Sequence, residues 1–248
     1  MDTKLGMYAV VISIVIALAI IGAALINNPN IIPQLEKRTI TSDGTYTTSV
    51  APNKVEVTFS IVTNGTTAAD AQSKNTDASD KVITALKAKG YKDSDISTAY
   101  YNVYPEYNWS SGTNDIIGYT ATHQIKVNNS NISAAGSIVD IVVKNGANQV
   151  DYIDFGLTPD SENSYRVEAL GKASQNARDK ADAIATGLGL SIKGITSVSE
   201  GNVYYPPYRM DYAMAAESIG GGGAGKQVSI TPGNVEISAT VSVTFELS

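Results

Sequence analysis

Cysteine is absent, which excludes disulfides, thiol nucleophiles and thiolate metal sites. Histidine occurs once, at position 123, so a metal site would have to be assembled from carboxylates around that one imidazole. Asp151, Asp154 and Asp160 are spaced too loosely for a calcium loop of the EF-hand type. No lysine or arginine cluster occurs, and a net charge of -6 with a pI near 4.8 denies a nucleic-acid partner the basic surface it needs. No metal or other cofactor is expected.

Charge is also missing locally. Residues 5–26, LGMYAVVISIVIALAIIGAALI, form an apolar run without a single charged side chain. As a helix this run is roughly 33 Å long, enough to cross a hydrocarbon core of about 30 Å. It is longer than the core of an ordinary cleaved signal peptide, so the expectation is a single-pass anchor. Gly22-Ala23-Ala24 leaves a cleavage site open as the alternative. Basic residues on the two sides, Lys4 against Lys37 and Arg38, are nearly balanced and do not set the orientation. A large polar body behind the anchor favours placement outside the cytoplasm, as do the Asn-x-Ser/Thr acceptors at Asn64, Asn108, Asn128 and Asn131, which are candidate glycosylation sites.

The domain plan is therefore a tail (1–4), a transmembrane anchor (5–26), a proline-containing stalk (27–37) and a folded body (38–248). At 43% apolar content the chain has the composition of a folded domain. In KVEVTFSIV (54–62), Val55, Val57, Phe59 and Ile61 alternate with polar residues as in a half-buried strand. The next segment opens with Thr67 and Asp70, a weak capping box, and closes at Gly90, with Ala71, Ala78, Val82, Ala85 and Leu86 as its apolar stripe. A stripe of alanines predicts close approach of this helix to a sheet. Strands follow at 96–104 and 116–127, then a helix over 131–145 carrying Ile132, Ala135, Ile138, Val139 and Val142.

The order then repeats. A strand at 150–157 leads into the longest helix, with the stripe Leu170, Ala173, Ala177, Ala181, Ile184, Leu188. Another strand precedes the tyrosines near 204, and the last one is apolar at every second position from Val235 to Leu247. The fold class is α+β: largely antiparallel sheet covered by helices, in two βαββ-like units over about 54–130 and 148–248. Spacing does not decide whether the units share one sheet.

SIGGGGAGKQVS (218–229) matches most of a phosphate-binding P-loop, through Gly220, Gly225 and Lys226. Gln227 stands where a magnesium-binding Ser or Thr belongs, no β-type run precedes the glycines, and a proline follows within six residues. The tract reads as a loop, and no nucleotide is expected. His123 shares a strand face with Ile125 and Val127 and reads as structural.

Of the 14 tyrosines, two clusters stand at strand ends: AYYNVYPEYNW (99–109) and NVYYPPYRMDY (202–212). Tyr100, Tyr101, Tyr104, Tyr107, Trp109, Tyr204, Tyr205, Tyr208 and Tyr212 are the candidate contact surface, because such rings bury area while offering a hydroxyl. The alternative is that they cap the core of their own chain.

Several segments, in this order, resemble the SIMPL domain family, a domain of unknown function in bacterial and archaeal envelope proteins. They are RTITSDGTYTTSVAPNKVEVTFSIV, the Tyr-x-x-Tyr-Pro-x-Tyr segment running on to DIIGYTATHQIKV, GANQVDYIDFGLTPDS, ARDKADAIATGLGL and TPGNVEISATVSVTFEL, spanning about residues 38–247. The resemblance implies a secreted, periplasmic or membrane-anchored protein, in some members a higher oligomer, with roles in envelope stress and protein contacts. It carries no catalytic residue set. The leading expectation is a non-enzymatic, membrane-anchored extracytoplasmic protein, with a homo-oligomer, another envelope protein or a glycan as partner. The alternative is a hydrolase acting on surface glycan or peptide through Asp and Glu.

Overall fold

The computed structural model describes residues 12–23, 37–108, 114–211 and 230–248. Residues 12–23 form a helix, α1, whose isoleucine and leucine side chains are exposed. The expected membrane span over 5–26 lies partly outside the described residues, and among the described residues no helix is long and apolar enough to cross a membrane. The glycine tract and most of the stalk lie outside them as well.

The body contains the strands β1 (Thr39–Val50), β2 (Lys54–Gly65), β3 (Ile96–Asn108), β4 (Asp115–Asn129), β5 (Gln149–Gly156), β6 (Ile192–Tyr204), β7 (Tyr208–Asp211) and β8 (Val235–Leu247). Its helices are α2 (Ala68–Ala88), α3 (Ala135–Asn145) and α4 (Pro159–Gly187). All strand pairings are antiparallel, in a five-stranded sheet ordered β3-β4-β2-β5-β7 and a three-stranded sheet ordered β1-β8-β6. The α+β class is as expected.

Sheet membership does not follow the repeat along the chain. β5 opens the second repeat yet pairs with β2, and β1 takes the corresponding place beside β8. The cause is core chemistry. Ile153 and Phe155 of β5 are buried with Val55, Val57, Phe59 and Ile61 of β2 under α2 and α3, whereas Ile40, Tyr46 and Val50 of β1 pack with the alanines of α4. Each fully buried Phe or Ile contributes about 1.5–3 kcal/mol, so both strand placements are firmly set.

Thr67 caps α2 by accepting from the Asp70 N–H at 3.1 Å, while the Asp70 carboxylate reaches the Thr66 N–H and Lys74 Nζ. Gly90 closes the helix at φ 96°, a conformation glycine adopts without strain. The buried stripe is Ala71, Asn75, Ser79, Val82, Leu86, so two polar residues stand where Ala78 and Ala85 were expected. They are there because they bond to the sheet: Asn75 Nδ2 donates to the carbonyls of Ile61 (2.7 Å) and Ala121 (3.2 Å).

The stripe of α4 also differs from expectation. Ala169, Ala173, Ala177, Ala181 and Ala185 are buried, while Ile184 and Leu188 are exposed and Leu170 is half-buried. Close approach excludes larger side chains from the four-residue ladder that faces β1 and β8. β8 follows its expected alternation, with every second residue from Val235 to Leu247 buried.

Candidate functional site

β3 is an outermost strand, paired with β4 on one side only. Tyr100 and Tyr104 lie opposite Gln124 and Thr120 on the face turned away from α2 and α3, and Tyr101 lies opposite His123 on the helix side. β2 ends at Gly65, opposite Tyr119, so among the described residues 106–108 and 115–118 pair only with each other and extend past the sheet as a two-stranded arm. Exposed large side chains collect on the arm and at its base: Tyr107 (39%), Ile116 (50%) and Ile117 (63%), with Tyr104 (44%) just before it. Trp109 lies outside the described residues.

Of the second tyrosine cluster, Tyr208 lies at the opposite edge of the same sheet. Tyr208 begins β7, opposite Phe155, and its ring packs so closely on Gly233 that a Cβ there would stand 2.7 Å from Cε2. Tyr204 is exposed at the end of β6, Tyr205 is half-buried against the α4 core, and Tyr212 lies outside the described residues. Four strand spacings, about 19 Å, separate β3 from β7, so the two clusters do not form one patch. Of the glycosylation candidates, Asn64 is exposed at the end of β2, Asn131 caps the 3-10 turn before α3, and Asn108 and Asn128 are half-buried in strands.

His123 is half-buried. Ser79 Oγ lies 2.8 Å from its Nδ1, Thr98 Oγ1 lies 2.9 Å from its Nε2, and the Tyr101 ring meets it edge-on at 5.4 Å. Burial pushes the imidazole below its ordinary value. Ser79 is buried beneath α2, and among the described residues the partners of the ring nitrogens are Ser79 and Thr98 hydroxyls rather than a carboxylate.

The face of the five-stranded sheet away from α2 and α3 carries polar chemistry that periodicity alone did not single out. Asp151 accepts from Ser60 Oγ (2.7 Å), Gln124 Nε2 (2.9 Å) and Gln149 Nε2 (2.6 Å). Thr120 donates to Asn64 Oδ1 at 3.0 Å and also bonds Glu106. Lys126 Nζ lies 2.7 Å from Glu56, and Arg209 clamps buried Asp154 through two bonds of 2.7 and 2.8 Å while its guanidinium lies 4.1 Å from the Tyr152 ring centre. Each bond to a carboxylate pushes its cation above the ordinary value. The signal in the sequence was the even-numbered set Glu56, Thr58 and Ser60, whose places between apolar neighbours read as solvent-facing.

A hydrolase using two carboxyl groups would need a pair free to serve as acid and base. Glu56 and Asp154 are cross-strand neighbours, and each is already held by a cation. Among the described residues no group of three or more metal-ligating side chains comes together.

Known proteins are similar to the chain over most of its length. The 26 kDa periplasmic immunogenic protein of Brucella melitensis is 28% identical over 214 residues, covering 84% of this chain and 83% of that protein. Its counterpart in Brucella abortus is 27% identical with the same coverage. The uncharacterized protein YggE of Escherichia coli K12 is 24% identical over 180 residues, 72% of each chain. The model of the family described as SIMPL, protein of unknown function (DUF541), matches residues 40–245, and the chain belongs to that family.

Proposed function

We propose that this chain is a membrane-tethered protein of the cell envelope whose body lies outside the cytoplasm and self-associates through the β3–β4 arm. The arm is the observation that carries the reading. Among the described residues β3 pairs with β4 alone, and the exposed Ile116 and Ile117 on this outermost strand pair are apolar groups that a second chain can cover. The uncharged run 5–26 supports the tether. The names of the two Brucella relatives, which call those proteins periplasmic, support placement outside the cytoplasm.

Two measurements test it. Protease added to intact cells should digest the body while a cytoplasmic marker survives; a protected body contradicts the location. The full chain in detergent, sized by light scattering, should exceed one copy per micelle, and Ile117→Asp should reduce it to one.

A further inference from the structure

At the end of the five-stranded sheet nearest α4 a cleft of about 150 Å³ opens between three parts of the chain. Lys54 and Glu56 of β2 stand cross-strand from Gly156 and Asp154 of β5, and Glu162 of α4, Tyr205 and Pro207 wall the opening. Asn53 ties these parts together by accepting from the Thr158 N–H at 2.8 Å and donating to Ser161 Oγ at 2.6 Å.

The charges lining the cleft sort into two sets. Glu56 and Asp154 are matched by Lys126 and Arg209. Lys54 and Glu162 are half-buried, and neither makes an ion pair or a side-chain hydrogen bond among the described residues. One unmatched cation and one unmatched anion therefore border the same small space without reaching each other. A half-buried charge gains most from a partner that brings the opposite charge to it. An inorganic ion would satisfy one wall only; a molecule bearing both charges satisfies both. A cavity of about 150 Å³ holds about six non-hydrogen atoms, as shown by apolar cavities of that size that take benzene.

We propose that this cleft binds a small zwitterion of the α-amino acid class, with its carboxylate on Lys54, its ammonium on Glu162 and its short side chain toward Leu157 and Pro207. The site is separate from the arm and does not depend on self-association.

Isothermal titration of the full chain in detergent tests this, with glycine and L-alanine as probes and acetate and methylammonium as half-ligands. Both amino acids should bind at millimolar concentration or below, and each half-ligand at least tenfold more weakly. Lys54→Met should weaken alanine tenfold or more and abolish the residual acetate binding. Glu162→Gln should do the same to alanine and to methylammonium. No binding of either amino acid at millimolar concentration overturns the proposal. So does acetate binding as tightly as alanine, which would mark Lys54 as a lone anion contact. The half-ligand comparison uses the unaltered protein, so it stands even if a variant fails to fold.

Discussion

Gly44 of β1 lies beneath Ala177 of α4 so closely that a Cβ built on the glycine would stand 2.8 Å from the alanine methyl and overlap the Ala173 carbonyl oxygen. Asn176 and Lys180 of α4 bond the backbone of Thr45 and Asp43 on either side of this contact. Gly44→Ala would force α4 away from the sheet. Overpacking of this kind costs about 1–3 kcal/mol, and urea unfolding should show a lower midpoint with an unchanged slope. A variant as stable as the parent would mean that the helix can shift freely.

Asn75 connects α2 to two strands. Asn75→Ala leaves the Ile61 and Ala121 carbonyls without this donor and opens space beneath a helix that is otherwise tightly seated. The expected loss is about 1–3 kcal/mol in chemical unfolding. Asn75→Leu restores bulk without the donor and should recover little of it. Full recovery would show that volume, not hydrogen bonding, holds the helix there.

Acid should weaken the fold through His123. Burial lowers the imidazole's native value, so below its ordinary value of 6.5 the unfolded chain binds the proton more readily than the native one. Stability from this group is complete above pH 6.5 and is lost as pH falls through the lowered native value. Urea titrations between pH 8 and 5 should show a steeper decline for the parent than for His123→Gln. Identical declines would assign the acid sensitivity to other groups.

How much of this could be read from residues varies with the physics involved. β8 was legible because one face of a central strand is buried and the other is not, so its alternation survives intact. α4 was legible as a helix, but its buried side was not: the larger apolar residues Ile184 and Leu188 suggested a stripe, while contact distance decided for the alanines. Hydrophobic pattern also hid Asn75 and Ser79, since a polar residue satisfied by strand carbonyls or a histidine looks like a surface residue. The sheet exchange of β1 and β5 depends on contacts far apart in sequence and leaves no local mark. Among the tyrosines, Tyr100, Tyr101, Tyr104 and Tyr107 are exposed along β3, whereas Tyr205 is half-buried at the wall of the cleft.

The ion pair of Arg209 with Asp154 should matter through β7. Among the described residues β7 joins the sheet over Tyr208–Asp211, and the Arg209 clamp and the stack on Tyr152 are side-chain links from it to β5. Arg209→Met should raise amide exchange across 208–211 while leaving β2 and β4 protected. Uniform exchange in parent and variant would show that backbone pairing alone secures this edge.

Self-association through the arm is tested most directly by sedimentation velocity on the body lacking residues 1–26, at micromolar concentration, with and without Ile117→Asp. The parent should sediment as more than one copy, and the variant as one folded copy. A parent that sediments as a monomer, or a variant that stays assembled, would contradict the account.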